Sequence, residues 1–166
     1  MIFHVNASMS LLLKRHGIDT PDNVTPDFSY PIKRKQDPCG REYWTVSHFW
    51  GLDENLSPEQ DLSMLEWDGN ELNFNAKNDK SIPKILKKAI AVMKAWGICL
   101  EEDYPATVFY LFASYDNGDQ LESEPSVKSV TLRFWAERGG SKTEGFSDVE
   151  NWVQPAVSVI CNRSIS

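Results

Sequence analysis

Residue types that carry out nucleophilic or metal chemistry are few and scattered in this sequence of 166 residues. His4, His16 and His48 include no pair at the spacing of metal ligands, and no histidine–cysteine cluster accompanies them. Cys39 would need a base such as His48 to act as a nucleophile, but its Pro-Cys-Gly context is typical of a turn. The sequence therefore predicts no metal centre and no cysteine nucleophile.

Two short segments invite a chemical interpretation. Residues 139–142, Gly-Gly-Ser-Lys, resemble part of a phosphate-binding loop, but the first glycine at the required offset is missing, so we predict a turn. Residues 101–103 are three consecutive carboxylates that could bind a cation or act as acid and base. They follow a predicted helix and precede Pro105, which favours a solvated acidic loop. We expect a protein without a cofactor or enzymatic activity. An enzyme with an unrecognised site stays an alternative, and it would need a buried pocket with shifted pKa values.

Charge is segregated along the chain, which has a net charge of −7. Gly51 to Ala76 carries seven acidic residues and no lysine or arginine, and Glu101 to Pro125 carries seven more, again without a basic residue. Between these two blocks, Lys77 to Leu100 carries six lysines and one aspartate. Segregated charge creates a local field that a basic partner can feel. A sequence pI near 4.9 argues against a nucleic-acid binder, which needs clustered lysine and arginine to neutralise phosphates.

Aromatic residues are interleaved with the two acidic blocks. Tight protein interfaces combine central aromatic anchors with complementary charge around them, so we predict a negative surface that binds a basic protein. Its charged members are Asp53, Glu54, Glu66, Asp68, Glu71, Asp116, Asp119, Glu122 and Glu124, and its anchors are Trp50, Trp67 and Tyr115. The alternative is that both blocks are solvated loops that only keep the protein soluble. The blocks can form one surface only if the fold brings them to the same side.

Length and composition are those of a single soluble globular domain, with 41% hydrophobic and 25% charged residues. The three cysteines are far apart and odd in number, which indicates a reducing compartment. No segment approaches the roughly 18 apolar residues of a membrane span, and the first residues lack the features of a secretion signal. We therefore expect a cytoplasmic protein that does not bind membranes. Its oligomeric state is open, although an uncovered strand edge could promote self-pairing.

Hydrophobic periodicity predicts an α+β fold with a mainly antiparallel sheet of five to six strands. The principal helix is Ser81–Trp96, whose apolar residues recur at i, i+3 and i+4, and Gly97 is its predicted end. Short helices are predicted at Ser8–His16, with Ser8 as N-cap, and after Ser147. The predicted strands are Arg41–Trp50, Ser63–Trp67, Glu71–Asn75, Thr107–Tyr115, Val127–Glu137 and, as the sixth, Ala156–Cys161. A single longer C-terminal helix is the alternative to that sixth strand.

Asp68-Gly69 is the clearest local turn signal in the chain. The pair lies between the predicted strands Ser63–Trp67 and Glu71–Asn75, and Asp-Gly suits the two-residue turn of a β-hairpin. In that register Glu66 and Glu71 share the face opposite Trp67, so the hairpin would present a wet, negative face.

The chain as a whole resembles the bacterial immunity proteins that neutralise contact-dependent-inhibition and other polymorphic toxins. The resemblance rests on small size, acidity, the α+β pattern, many Trp and Tyr residues and missing catalytic residues, and on no diagnostic motif. It implies a non-enzymatic protein that binds one cognate toxin domain, in many such systems a DNase or tRNase, and covers its active site or substrate groove. A rival interpretation is a phage or mobile-element protein that mimics DNA, which needs roughly one carboxylate per 1.7 Å of duplex axis.

Overall fold

A computed structural model describes residues 1–18, 20–46, 57–118 and 127–163. The fold is α+β, as predicted, with a five-stranded antiparallel sheet, a two-stranded sheet, one long helix and two shorter ones. The strands are β1 (Phe3–Val5), β2 (Ile32–Gln36), β3 (Glu42–Val46), β4 (Leu72–Asn75), β5 (Phe109–Asp116), β6 (Ser129–Ala136) and β7 (Ala156–Cys161), and the helices are α1 (Ala7–Arg15), α2 (Leu62–Gly69) and α3 (Ile82–Asp103). No helix within these ranges is long and apolar enough to cross a membrane.

The larger sheet has the strand order β1-β7-β5-β6-β4. Side chains alternate between its two faces, and on β5 Leu111 and Ala113 join the main core while Phe112 joins a smaller aromatic cluster. We call the side covered by α3 and α1 the helix face and the opposite side the second face. The predicted strands Thr107–Tyr115, Val127–Glu137 and Ala156–Cys161 correspond to β5, β6 and β7.

The long helix α3 forms where the sequence predicts it but continues further. Its buried stripe runs from Ile82 to Leu100, with Pro83 tolerated in the first turn. The prediction that Gly97 ends the helix is wrong. Gly97 lies inside the helix, and the Met1 side chain packs so closely against it that a Cβ there would be 2.8 Å from the Met1 Cε. Burial of Leu100 in the following turn offsets the roughly 1 kcal/mol that a helical glycine costs.

The predicted hairpin around Asp68-Gly69 is wrong, because residues 62–69 form α2 and β4 pairs with β6 instead. Four-residue β4 leaves the end of the β6 edge uncovered, and three polar side chains of α2 and its C-cap satisfy it. Ser63 donates to the Ala136 carbonyl (2.7 Å), Glu66 accepts from the Ala136 N–H (2.7 Å), and Asn70 donates to the Phe134 carbonyl (3.3 Å). These side chains take the place of a paired strand, and the helix Leu62–Gly69 with its C-cap Asn70 brings all three to the same edge.

The predicted strand Arg41–Trp50 contains β3, but β3 belongs to the two-stranded sheet and pairs with β2. The other edge of β3 meets the same α2 side chains. Trp44 N–H donates to Glu66 (3.0 Å), and Asn70 donates to the Trp44 carbonyl (2.8 Å). Side chains of α2 therefore join the two sheets. Residues 47–50 lie outside the described ranges.

Both terminal helices differ in detail from the prediction. The N-cap of α1 is Asn6 instead of Ser8, because the Asn6 Oδ1 accepts from the Met9 N–H (2.9 Å). The Asn6 amide also donates to three carbonyls of the C-terminal segment, at 2.9–3.3 Å. After Ser147 the chain forms only a single 3₁₀ turn, Val149–Asn151, before β7.

Candidate protein-binding surface

The second face of the large sheet is partly covered by α2 and residues 141–152. An aromatic cluster forms the contact, with ring centroids 4.8 Å apart for Trp67 and Trp135 and 4.9 Å apart for Trp67 and Phe146. Phe112 and Trp152 complete the cluster at 4.5 Å. This cluster fixes the C-terminal segment on the sheet.

The two predicted anchors that the structure describes are both buried. Trp67 is only 8% exposed because it is the centre of that cluster, and Tyr115 is 4% exposed because it points into the helix-face core. Trp50 lies outside the described residues. The assignment of Trp67 and Tyr115 as contact residues is therefore wrong, since a buried side chain cannot reach a partner.

Glu66 is also wrongly assigned to the surface. It is 1% exposed, and its carboxylate accepts from both terminal nitrogens of the Arg138 guanidinium, at 2.8 and 2.9 Å. Together with the backbone N–H groups of Trp44 and Ala136, this gives the carboxylate four donors. Glu66 is a structural carboxylate with every oxygen engaged.

The remaining predicted carboxylates of the described chain lie on the second face. Asp68 is exposed on α2, and Asp116 follows the inward-pointing Tyr115, so strand alternation directs it to the second face. Glu71 is half-buried and forms an ion pair with Arg133, whose guanidinium lies 4.7 Å from the Trp67 ring centroid. Members of the two acidic blocks thus share one side of the sheet. Five predicted members lie outside the described residues: Asp53, Glu54, Asp119, Glu122 and Glu124.

The second acidic block is nevertheless divided. Glu102 and Asp103 are exposed in the last turn of α3, on the helix-face side, and Glu101 pairs with the N-terminal amine of Met1 at 3.3 Å. These carboxylates cannot act together with Asp68 and Asp116 on one contact surface.

Three carboxylates of the second-face side were not predicted. Glu144, Asp148 and Glu150 are exposed in the segment that covers the aromatic cluster, and none of them is in an ion pair with another described residue. Nothing in the local sequence marks these three residues as members of a contact surface, and the position of Glu150 after Ser147 is also explained by a helix-capping pattern. Their place follows from the packing of Phe146 and Trp152. We call the surface that carries Asp68, Asp116, Glu144, Asp148 and Glu150 the acidic side.

The opposite side of the molecule is basic. Along the exposed face of α3 lie Lys84 and Lys87, with Lys77 and Lys80 just before the helix. Beside them is a groove of about 1010 Å³ between α3, β4 and residues 24–28. Among the described residues, the acidic side and the lysines around α3 therefore lie on opposite sides of the large sheet, although Glu102 and Asp103 share the side of the lysines.

Shifted pKa values in the described structure have structural causes. Burial opposes ionisation of Asp61, but backbone N–H groups of Lys142 and Met64 outweigh it and lower the pKa of this α2 N-cap. Burial, and to a smaller extent the hydrogen bond to the neighbouring Glu137, raises the pKa of Tyr110 to about 12. Burial also raises the pKa of the Cys161 thiol to about 12. Within the described ranges, no group of three or more His, Cys, Asp or Glu residues could hold a metal ion.

No family model, curated protein or solved structure matches this chain.

Proposed function

We propose that this chain is a non-enzymatic immunity protein that binds a basic toxin domain through its acidic side. The favoured kind of toxin is a nuclease. The observation that carries the proposal is the distribution of charge across the sheet. The carboxylates of the acidic side form no ion pair with another described residue, and the exposed lysines of α3 lie on the opposite side, where Glu102 and Asp103 are confined to the end of that helix. A basic substrate groove would be attracted to the acidic side and repelled by the lysine side, so the field also selects the orientation of approach.

Rigidity of the acidic side supports a role in tight binding. Asp68 is held by α2, whose Trp67 is locked in the aromatic cluster, and Glu150 lies in the segment fixed by Trp152. Carboxylates on a pre-ordered backbone lose less conformational entropy on association than carboxylates on unstructured chain. The acidic side can therefore engage a partner without large rearrangement.

The proposal is tested with a captured partner and two charge-reversal variants. The tagged protein is used to isolate its partner from the native bacterium, and we expect a basic C-terminal domain of a large secreted protein. Association with that domain is then measured by stopped-flow fluorescence for Asp68→Lys/Glu144→Lys/Glu150→Lys. We expect an association rate lower by about tenfold or more at low salt. Asp116 and Asp148 are left unchanged because each accepts a local backbone hydrogen bond.

The matched control is Asp22→Lys/Glu102→Lys/Asp103→Lys, which makes the same change in net charge at exposed positions outside the acidic side. Its association rate should stay within about threefold of the original. Equal slowing in both triple variants would show that only net charge matters and would overturn the proposed surface. A second readout is growth, since co-expression of the protein should protect cells from the toxin domain, and the acidic-side variant should protect less.

A further inference from the structure

The outer edge of β4 is free of any strand among the described residues, since β4 is the last strand of its sheet. The hydrogen bond from Ala76 N–H to the Lys128 carbonyl (2.8 Å) sets the ladder between β4 and β6. With the observed register, Asn73 and Asn75 occupy the non-hydrogen-bonded positions opposite β6. Their N–H and C=O groups therefore point away from the sheet, as they would towards an added strand.

A groove runs beside this edge on the helix face. Phe74 and Ile85 line it, and Phe28 stands at its rim with 57% of its surface exposed. The wall formed by residues 24–28 is attached to α3 by the hydrogen bond from Asp27 N–H to the Ala91 carbonyl (2.9 Å). A strand added to β4 would direct every second side chain over this groove, because the Phe74 side chain on β4 already faces it.

The charge around the groove restricts what can bind. Lys77, Lys84 and Lys87 line it, all three are exposed, and none is in an ion pair with a described residue. Asp27, the acidic residue of the lining, is already engaged by Lys88. The groove therefore presents positive charge next to apolar surface.

We propose that the β4 edge binds an extended acidic segment of another protein as an additional strand. Backbone pairing would use Asn73 and Asn75, an apolar side chain would contact Phe74 and Phe28, and neighbouring carboxylates would face Lys84 and Lys87. A second copy of this chain is the wrong occupant, because edge-to-edge pairing would bring two sets of lysines together. This interface lies on the basic side, so it is independent of the proposed contact with a toxin domain and can be occupied at the same time.

The test uses a labelled peptide, acetyl-Thr-Glu-Thr-Val-Thr-Glu-Thr, and its counterpart with Lys in place of both Glu residues. Binding is followed by fluorescence anisotropy and by the amide NMR signals of the protein. We expect the Glu peptide to bind at least tenfold more tightly than the Lys peptide, and to slow hydrogen exchange at the Asn73 and Asn75 amides. No binding of the Glu peptide at millimolar concentration would overturn the proposal.

Two pairs of variants separate strand pairing from general charge attraction. Asn75→Pro removes an outward-pointing N–H without affecting the bonds to β6, and should weaken binding at least tenfold, while Asn75→Ala keeps the N–H and should bind normally. Lys84→Glu/Lys87→Glu should reverse the preference between the two peptides, and the control Lys14→Glu/Lys142→Glu should retain it. Binding that is insensitive to Asn75→Pro, or competition by a single-stranded oligonucleotide at the same concentration, would overturn strand addition.

Discussion

Replacing Glu66 with alanine is expected to destabilise the protein strongly, although the sequence places this residue in an acidic surface block. The change removes the acceptor for the Arg138 guanidinium and for the N–H groups of Trp44 and Ala136. Breaking a buried ion pair by removing one partner costs about 3–5 kcal/mol. An unsatisfied buried N–H costs about 1–3 kcal/mol, but these costs overlap because all donors share one carboxylate.

We expect Glu66→Ala to lower the free energy of unfolding by about 4 kcal/mol, which corresponds to about 8–16 °C in Tm for a chain of this size. Urea denaturation followed by circular dichroism and tryptophan fluorescence gives the value directly. The matched control is Glu71→Ala, which breaks the half-buried pair with Arg133 and should cost about 1 kcal/mol or less. If Glu66→Ala does not fold, Glu66→Gln keeps the shape and one acceptor, and should lose about 2 kcal/mol.

A loss below about 1 kcal/mol for Glu66→Ala, or equal losses for the Glu66 and Glu71 variants, would refute the structural assignment of Glu66. In that case the carboxylate would be accessible to solvent, and the sequence-based assignment to a contact surface would regain its basis. Association with a partner should not change in folded Glu66→Gln beyond the effect of its lower stability.

Three further predictions follow from other contacts. Asn6→Ala should lower the free energy of unfolding by about 3 kcal/mol, because it removes the α1 cap and leaves buried groups unpaired. Ser8→Ala should cost under about 0.5 kcal/mol. Thermal denaturation of both variants decides which of the two residues is the N-cap. The hydrogen bond from Lys88, followed by those from Ser29, lowers the pKa of Asp27 to about 2, so its stabilising effect is full above about pH 4 and is lost as the pH falls towards 2. Because that pair is partly exposed, we expect the free energy of unfolding of Asp27→Asn to differ from that of the unmodified protein by about 1 kcal/mol at most. Unfolding measured at a series of acidic pH values gives this difference. In the native protein Cys39 should react with a thiol reagent much faster than the other two cysteines, since it is exposed while burial raises the pKa of both others; Cys39→Ser should abolish the fast phase.

The elements that the sequence predicts well have regular apolar periodicity. β5 to β7 and α3 follow it because each buries a continuous stripe against the same core, so local pattern and tertiary packing agree. In helix α2 the local apolar pattern and the tertiary packing do not agree. Its buried positions recur at helical spacing, but several are polar, so a hydrophobic pattern cannot show them: Ser63, Glu66 and Asn70. Asp68-Gly69 then resembles a hairpin turn although it lies at the end of a helix.

The candidate surface shows the same division. Local sequence predicts that two chain segments are acidic, and the fold brings Asp68 and Asp116 to one side of the sheet. The local sequence does not predict that Glu144, Asp148 and Glu150 belong to the acidic side, because their position depends on aromatic contacts with residues far away in the chain. It also does not predict that the last turn of α3 carries its carboxylates to the opposite side.

The amino-acid sequence alone determines the total charge, its arrangement in blocks and the apolar patterns that give an α+β fold. Only the tertiary structure decides which charges are available to a partner. Glu66 and Asp68 are two residues apart, yet the first is buried against Arg138, 72 positions away, while the second is exposed. The physical reason is that the cost of burying a carboxylate depends on donors supplied by the fold, and these donors come from distant parts of the chain.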